Sequence, residues 1–262
     1  HLGDMPLGAP VNSPDFMGMN DTAWRVVTLP HDWSVEHPFD RSNASGTGYL
    51  PGGTAWYRKH FRLPKTAKNK KVFVEFEGVR QGADFYINGH HIGLHENGAM
   101  AVGFDLTPYL HPDGENVMAL RIDNDWQYRE RATDTRYQWN DRNFNANYGG
   151  IPKNVWLHLT DKLYQTLPLY SNLQTTGVYI YAREMDVAAR TAVIHAESEV
   201  KNESSVSGNA PEPNASWSLY AYSAEYADEE MFQDLDPAIF RHRFAVQVSD
   251  LELVGETAAA IR

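Results

Sequence analysis

Between Trp56 and Asp161 the apolar and aromatic residues recur with a period of two, in runs of strand length that Gly, Pro or Asn repeatedly stop. This alternation limits the fold more than any other feature, because it suits a pleated strand with one buried face and cannot form the stripe of a helix. In "KKVFVEFEGV", Val72, Val74 and Phe76 share a face. "ADFYINGHHIGLHENG" reads as a hairpin, since Asn88-Gly89 is the pair that tolerates positive φ at both central turn positions. "VGFDLTPYLHPDGENVMALRID" breaks at Pro112-Asp113-Gly114. It resumes with Met118, Leu120 and Ile122 on the apolar side of a strand and Val117, Ala119, Arg121 and Asp123 on the other. "AWYRKHFRLP" and "GIPKNVWLHLTD" supply further strands. No helix of more than two turns is legible up to Asp161, so short strands and tight turns predict an antiparallel sandwich.

A second pattern starts after "DKLYQTLPLYS". Strands are expected over Val178 to Tyr181 and Thr191 to Lys201, then in "SWSLYAYSAEY" and "RHRFAVQVSDLELV", with "SGNAPEPNASW" a loop and "DEEMFQDLDPAIF" acidic and irregular. Their spacing fits an immunoglobulin-like sandwich. The expected organisation is therefore all-β in two domains, 1–166 and 167–262, the second truncated. At 262 residues two domains also fit the usual domain size.

Composition excludes several functions. With 34 acidic and 23 basic residues the formal charge is −11, opposite to the positive footprint that nucleic acid or an anionic membrane requires. The absence of Cys removes disulfides, thiolate nucleophiles and thiolate metal sites. No run approaches the roughly 20 apolar residues of a membrane span. "HLGDMPLGAP" lacks the basic and apolar regions of a signal peptide, and the chain begins with His, so processing or a cloning boundary is expected to set this start. A periplasmic or secreted location is favoured over a cytoplasmic one. Aromatic residues make up 12% of the chain, with 7 Trp and 14 Tyr, which suits a β-rich, carbohydrate-handling protein as well as one that uses aromatics as core filler.

The stretch "LPHDWSVEHPFD", from Leu29 to Asp40, must be a loop, because Pro30 and Pro38 remove donors and push their predecessors toward extended geometry. Two uses fit it. Aromatic faces and carboxylates recognise sugars. Alternatively, Trp33 and Phe39 plug the end of a sandwich while His31 and Asp32 tie down backbone groups that the prolines leave unpaired.

His90, His91 and His95 lie close in sequence, but adjacent strand residues point to opposite faces, which favours surface histidines over a zinc site. Asp32, Glu36, Asp40, Asp123 and Asp125 are the acids best placed to face a ligand. None has a context that marks a glycosidic acid or nucleophile, and the spacing of such a pair, about 5–9.5 Å, is invisible in sequence. Serine elbows, phosphate loops, dinucleotide glycine motifs and zinc-binding helices are absent. The chain is thus expected to supply no catalytic residue and no metal ligand. "IDNDW", Ile122 to Trp126, ends a strand in consecutive polar side chains. Asn124 can both donate to and accept from vicinal sugar hydroxyls, or can simply close an Asx turn. Asp125 to Gly150 is too long for an idle connection and is the candidate functional loop.

Five stretches, "WRVVTLPHDWSVEHPFD", "GYLPGGTAWYRKHF", "VFVEFEGVRQGADFYINGHHIG", "FDLTPYL" with "GENVMALRIDN", and "YGGIPKNVWL", resemble in this order the amino-terminal sugar-binding domain of glycoside hydrolase family 2, especially its bacterial β-galactosidases. The resemblance covers about Thr22 to Asp161, and "TTGVYIYAREMDVAARTAVIHAESEVKNES" is similar to the start of the immunoglobulin-like domain that follows in that family. It implies a jelly-roll (galactose-binding-like) β-sandwich, then an immunoglobulin-like one, with "PHDWSVEHPFD" as the loop that folds over the jelly roll. It also implies that both catalytic Glu residues sit on a carboxy-terminal (β/α)₈ barrel of roughly 250 residues, for which this chain has no counterpart.

The chain would then be a fragment, inactive alone, of a retaining hydrolase of terminal β-galactosides; β-glucuronidase and β-mannosidase relatives share its architecture. A free carbohydrate-binding module is the alternative, and a purely structural or interaction role that includes homo-oligomer formation is a third. The parent enzyme would use Mg²⁺ or Na⁺ near its barrel, with no ligand from this chain. One family contact to the terminal sugar comes from an Asp just after the strand matching "VMALRID". Asn124 occupies that position, with Asp123 beside it, and Trp126, Tyr128, Trp139 and Tyr148 are candidates to line the pocket edge. A second family contact, a loop Asn, falls near Gly52, which has no side chain to repeat it.

Overall fold

The computed structural model describes residues 24–43, 48–136, 148–189, 191–203, 224–233, 239–248, 252–254 and 258–260. The chain divides into two compact units, His1–Leu159 and Thr160–Arg262, a division slightly earlier than the expected 166/167 boundary.

In the first unit the strands are β1 (His31–Asp32), β2 (Thr54–Arg62), β3 (Lys71–Phe76), β4 (Gly82–Ile87), β5 (His90–His95), β6 (Val102–Asp105), β7 (Glu115–Asp123), β8 (Gly150–Ile151) and β9 (Val155–Thr160). A four-stranded sheet in the order β2-β7-β4-β5 faces a three-stranded sheet in the order β6-β3-β9, and β1 and β8 form a separate two-stranded ladder. The period-two reading fixes what lies between the sheets. Val72, Val74 and Phe76 meet Ala83, Phe85 and Ile87 and Met118, Leu120 and Ile122 in one core. The β4–β5 turn is the expected one, with φ of +49° at Asn88 and +82° at Gly89. Asn88 also stitches the turn to its neighbours: its Oδ1 accepts the Val117 N–H at 2.9 Å and its Nδ2 donates to Asn116 Oδ1 at 2.8 Å.

The outer face of the four-stranded sheet holds a smaller cluster of Trp56, Tyr86 and Ala119, with Trp24 against it. It also buries a charge. Asp84 is 3% exposed and takes a two-pronged ion pair from Arg131, with Nη1 donating to Oδ1 at 2.8 Å and Nη2 to Oδ2. His91 Nε2 approaches the same Oδ1 at 3.0 Å. A carboxylate at such depth is tolerable only when paired in this way.

In the second unit β10 (Leu163–Gln165), β12 (Thr191–Asn202), β14 (Ile239–Val248) and β13 (Ala224–Gln233) follow one another in an antiparallel sheet, and β11 (Val178–Asp186) also pairs with β12. A short ladder joins β15 (Glu252–Val254) to β16 (Ala258–Ala260). The order of a jelly-roll sandwich followed by an immunoglobulin-like β unit is as the sequence implied. One expectation is corrected: "DEEMFQ" is not irregular but lies within β13, whose pairing with β14 shifts register between Ala227 and Glu230. A bulge absorbs the break in alternation that disguised this strand. "SGNAPEPNASW" and most of "SWSLYAYSAEY" lie outside the described residues.

Among the described residues no helix is long and apolar enough to cross a membrane.

Candidate functional site

The two stretches singled out in the sequence, "LPHDWSVEHPFD" and "IDNDW", meet at one end of the first unit. β1 pairs His31 with Ile151 and Asp32 with Gly150. Asp32 Oδ1 then accepts two backbone N–H groups, from Ser34 at 2.9 Å and from Gly149 at 2.9 Å. The Trp33 side chain turns inward, 6% exposed, and the Trp33 backbone N–H reaches the Gly149 carbonyl at 3.3 Å. His31 Nδ1 sits 2.7 Å from the Tyr57 hydroxyl, and His31 Nε2 lies 3.1 Å from Glu36 Oε1. Arg25 pairs with the other Glu36 oxygen and, with His31, holds that carboxyl below the usual carboxylate range. Of the two uses weighed for this loop, the geometry realises the plug through Trp33 and the backbone tie through Asp32, while the His31 imidazole bonds side chains and no backbone group. Phe39 is 77% exposed and plugs nothing.

Asn124 is fully buried and joins three segments. Its N–H donates to the Gly53 carbonyl at 3.0 Å, its Oδ1 accepts the Gly53 N–H at 3.1 Å, and its Nδ2 donates to Ser34 Oγ at 2.9 Å. Gly149 closes over it, and a Cβ there would lie 2.3 Å from Asn124 Nδ2. The neighbouring Gly150 has φ of +104°, with the Tyr57 hydroxyl 2.3 Å and the His31 carbonyl 2.8 Å from where a Cβ would stand. Both glycines are therefore required for the loop to lie this close.

Asp123 is half-buried. Its Oδ1 accepts the Asp125 N–H at 3.0 Å and its Oδ2 the Thr54 hydroxyl at 3.2 Å. Burial pushes its carboxyl above the usual range despite these bonds and the nearby Arg121. Asp125 caps the next turn through the Gln127 N–H at 2.7 Å. Trp126 is half-buried, with the Arg136 guanidinium 5.0 Å from its ring centroid. Asp123, Asn124 and Trp126 are thus brought together, with the Asn amide turned into the protein and the other two nearer solvent.

The loop after Trp126 is fastened rather than idle. The Tyr128 hydroxyl donates to Glu96 Oε1 at 2.7 Å, the Arg131 N–H reaches the same oxygen at 2.9 Å, and the Arg131 side chain grips Asp84. The Tyr128 ring occupies the space a Cβ would need at Gly82. Sequence reading missed the Asp84–Arg131 pair. The available signal was an acid inside the otherwise apolar run "ADFYI". Tyr148 stacks on Arg80, with the guanidinium 4.4 Å from the ring centroid, whereas Trp139 lies outside the described residues.

The three histidines of the β4–β5 region diverge. His90 contacts the Tyr109 ring at 5.4 Å, His91 faces Asp84, and His95 is buried with Nε2 3.3 Å from the Met100 carbonyl. Among the described residues no group of three or more His, Asp or Glu side chains is gathered to hold a metal ion. Burial pushes the His95 imidazole below its ordinary pKa. The folded state therefore disfavours the proton that an unfolded His takes up near pH 6.5, so stability falls as pH drops through that value. Urea midpoints measured at pH 7.5 and 5.5 are expected to show this loss, and His95→Gln should reduce it.

A family model described as glycosyl hydrolase 2 galactose-binding domain-like matches residues 25–157. A β-glucuronidase of Formosa agariphila is 43% identical over 189 residues, 70% of this chain and 19% of its own length. A β-galactosidase of Bacteroides ovatus is 36% identical over 211 residues, 80% of this chain and 21% of its own. A solved β-glucuronidase structure from glycoside hydrolase family 2 superposes with a TM-score of 0.68 at 32% identity, over 95% of this chain and 26% of that one. The chain thus spans about a fifth of the curated relatives it resembles.

Proposed function

This chain belongs to glycoside hydrolase family 2, and on that premise we propose that it forms the non-catalytic amino-terminal β domains of a retaining glycosidase several times its length. The observation that carries the reading is the match over 25–157 together with the small share of each relative that the chain covers. The remainder of a protein of that size accommodates a barrel of roughly 250 residues. In such an enzyme one carboxylic acid protonates the leaving oxygen, and a second carboxylate forms a covalent glycosyl-enzyme that water then resolves. Neither group is assigned to this chain, and no Mg²⁺ or Na⁺ ligand is assigned to it.

The role of these residues is to support the barrel and border its sugar pocket. Asp123 and Trp126 present a hydrogen-bonding edge and an aromatic face, and Asn124 orients them through its ties to Ser34 and Gly53. An Asn124 contact to a sugar hydroxyl would exchange one of these internal bonds. The substrate we assign is a terminal β-galactoside. A β-glucuronide is the second reading, favoured by the 43% identity to a protein named β-glucuronidase. A periplasmic or secreted location and a homo-oligomeric whole enzyme belong to the same proposal.

The 262-residue chain, purified alone, is expected to leave chromogenic β-galactosides and β-glucuronides intact, while the protein extended through its barrel hydrolyses one of them. Turnover by the chain alone, lost on mutation of an acid within it, would sink this reading.

A further inference from the structure

The outer face of the three-stranded sheet carries an exposed indole that is nevertheless held in place. Trp156 on β9 is 51% exposed. Its Nε1 donates to Glu77 Oε1 at 2.8 Å, and the other Glu77 oxygen accepts from Asn154, through the side-chain amide at 3.1 Å and the backbone N–H at 3.3 Å. Two residues along the same side of β9, His158 Nε2 lies 2.9 Å from Glu75 Oε2. On the far side of β3, Glu75 is paired with Gly103, which raises no side chain over this part of the sheet. An indole left in water forfeits a large burial gain, and a surface ring usually stays free to rotate. Here the ring has been fixed by a carboxylate that is itself fixed.

We propose that this face, with Trp156 flanked by Asn154, Glu77, His158 and Glu75, is a binding surface for a neutral hexopyranose. The C–H face of a pyranose packs on an indole, and a ring held before binding pays less ordering entropy when the sugar arrives. Hydroxyls around that sugar find acceptors in both carboxylates and polar partners in Asn154 and His158. The indole hydrogen bond holds the Glu77 carboxyl below its usual range, so it remains an ionised acceptor. Two carboxylates on the face of a chain with net charge −11 outweigh the neighbouring Lys153 and repel a uronate, which selects a neutral ring. The inference does not depend on the glycosidase reading, because it is tested by binding and not by turnover.

The test is titration of the full chain with methyl β-galactopyranoside, methyl β-glucopyranoside and methyl β-glucuronide, followed through indole N–H resonances. The Trp156 signal is identified by its disappearance in Trp156→Ala. A neutral glycoside is expected to move that signal with a millimolar Kd, and the glucuronide to bind more weakly. Measured by titration calorimetry for both proteins, Trp156→Ala should weaken the neutral sugar about tenfold while leaving the thermal midpoint in place. Glu77→Gln, which keeps an acceptor for the indole and removes the charge, should raise glucuronide affinity toward that of the neutral sugar. No shift of the Trp156 signal with either neutral glycoside would overturn the proposal, as would equal affinity in Trp156→Ala or a glucuronide that binds as tightly as the neutral sugars.

Discussion

Asn124→Ala is expected to destabilise the first unit by about 2–4 kcal/mol, most of it from partners left behind. The substitution removes the acceptor of the half-buried Gly53 N–H and the donor to Ser34 Oγ, and Ser34 is itself fully buried, so its hydroxyl cannot turn to water for a replacement. Ser34→Ala removes only one of the two links and should cost less. The two substitutions share a bond, so their combined effect should fall short of the sum. Denaturant midpoints of the two single variants and the double variant read this directly. Equal losses for the singles, or full additivity, would mean that the Asn124 bonds do not fasten the loop to the sheet.

Phe85→Ala is expected to have a similar or larger effect for a different reason. The ring is fully buried between the sheets, 5.1 Å from the Phe76 ring centroid in a T-shaped contact and 4.7 Å from that of Phe104. Gly93 keeps space for Phe104, since a Cβ there would lie 2.5 Å from its ring. Truncation leaves a cavity that neither sheet can fill by sliding, so a loss of about 3–5 kcal/mol follows. In a unit of this size that lowers the thermal midpoint by about 10 °C. Phe85→Leu keeps most of the volume and should lose much less. A scanning-calorimetry midpoint for Phe85→Ala close to that of the unaltered chain would show that the two sheets do not share this core.

The sandwich was legible because its signals are local. Val72, Val74 and Phe76 advertise their common face by spacing alone, and Asn88-Gly89 requires positive φ wherever it occurs as a tight turn. The site was legible only as a set of neighbours. That "IDNDW" ends a strand in consecutive polar side chains could be read, but the direction of the Asn124 amide depends on Ser34, Gly53 and Gly149, which sequence separates widely and only tertiary folding assembles. The same holds for Asp84, whose partner Arg131 sits in a loop without periodicity. In the second unit, alternation failed as a guide where β13 carries a bulge, and "DEEMFQ" therefore looked like a loop.

The pairing of β1 with β8 has a consequence for how this protein is made. His31 meets Ile151, so almost the whole first unit must leave the ribosome before its opening strand has anything to pair with. The β4–β5 hairpin closes over a two-residue turn and can form as it emerges, whereas the loop bearing Asp32 and Trp33 must wait. Contacts this distant along the chain slow folding and leave early segments uncovered during synthesis. Nascent chains halted before Gly150 should therefore expose the "PHDWSVE" segment to protease, and chains released after β9 is complete at Thr160 should protect it.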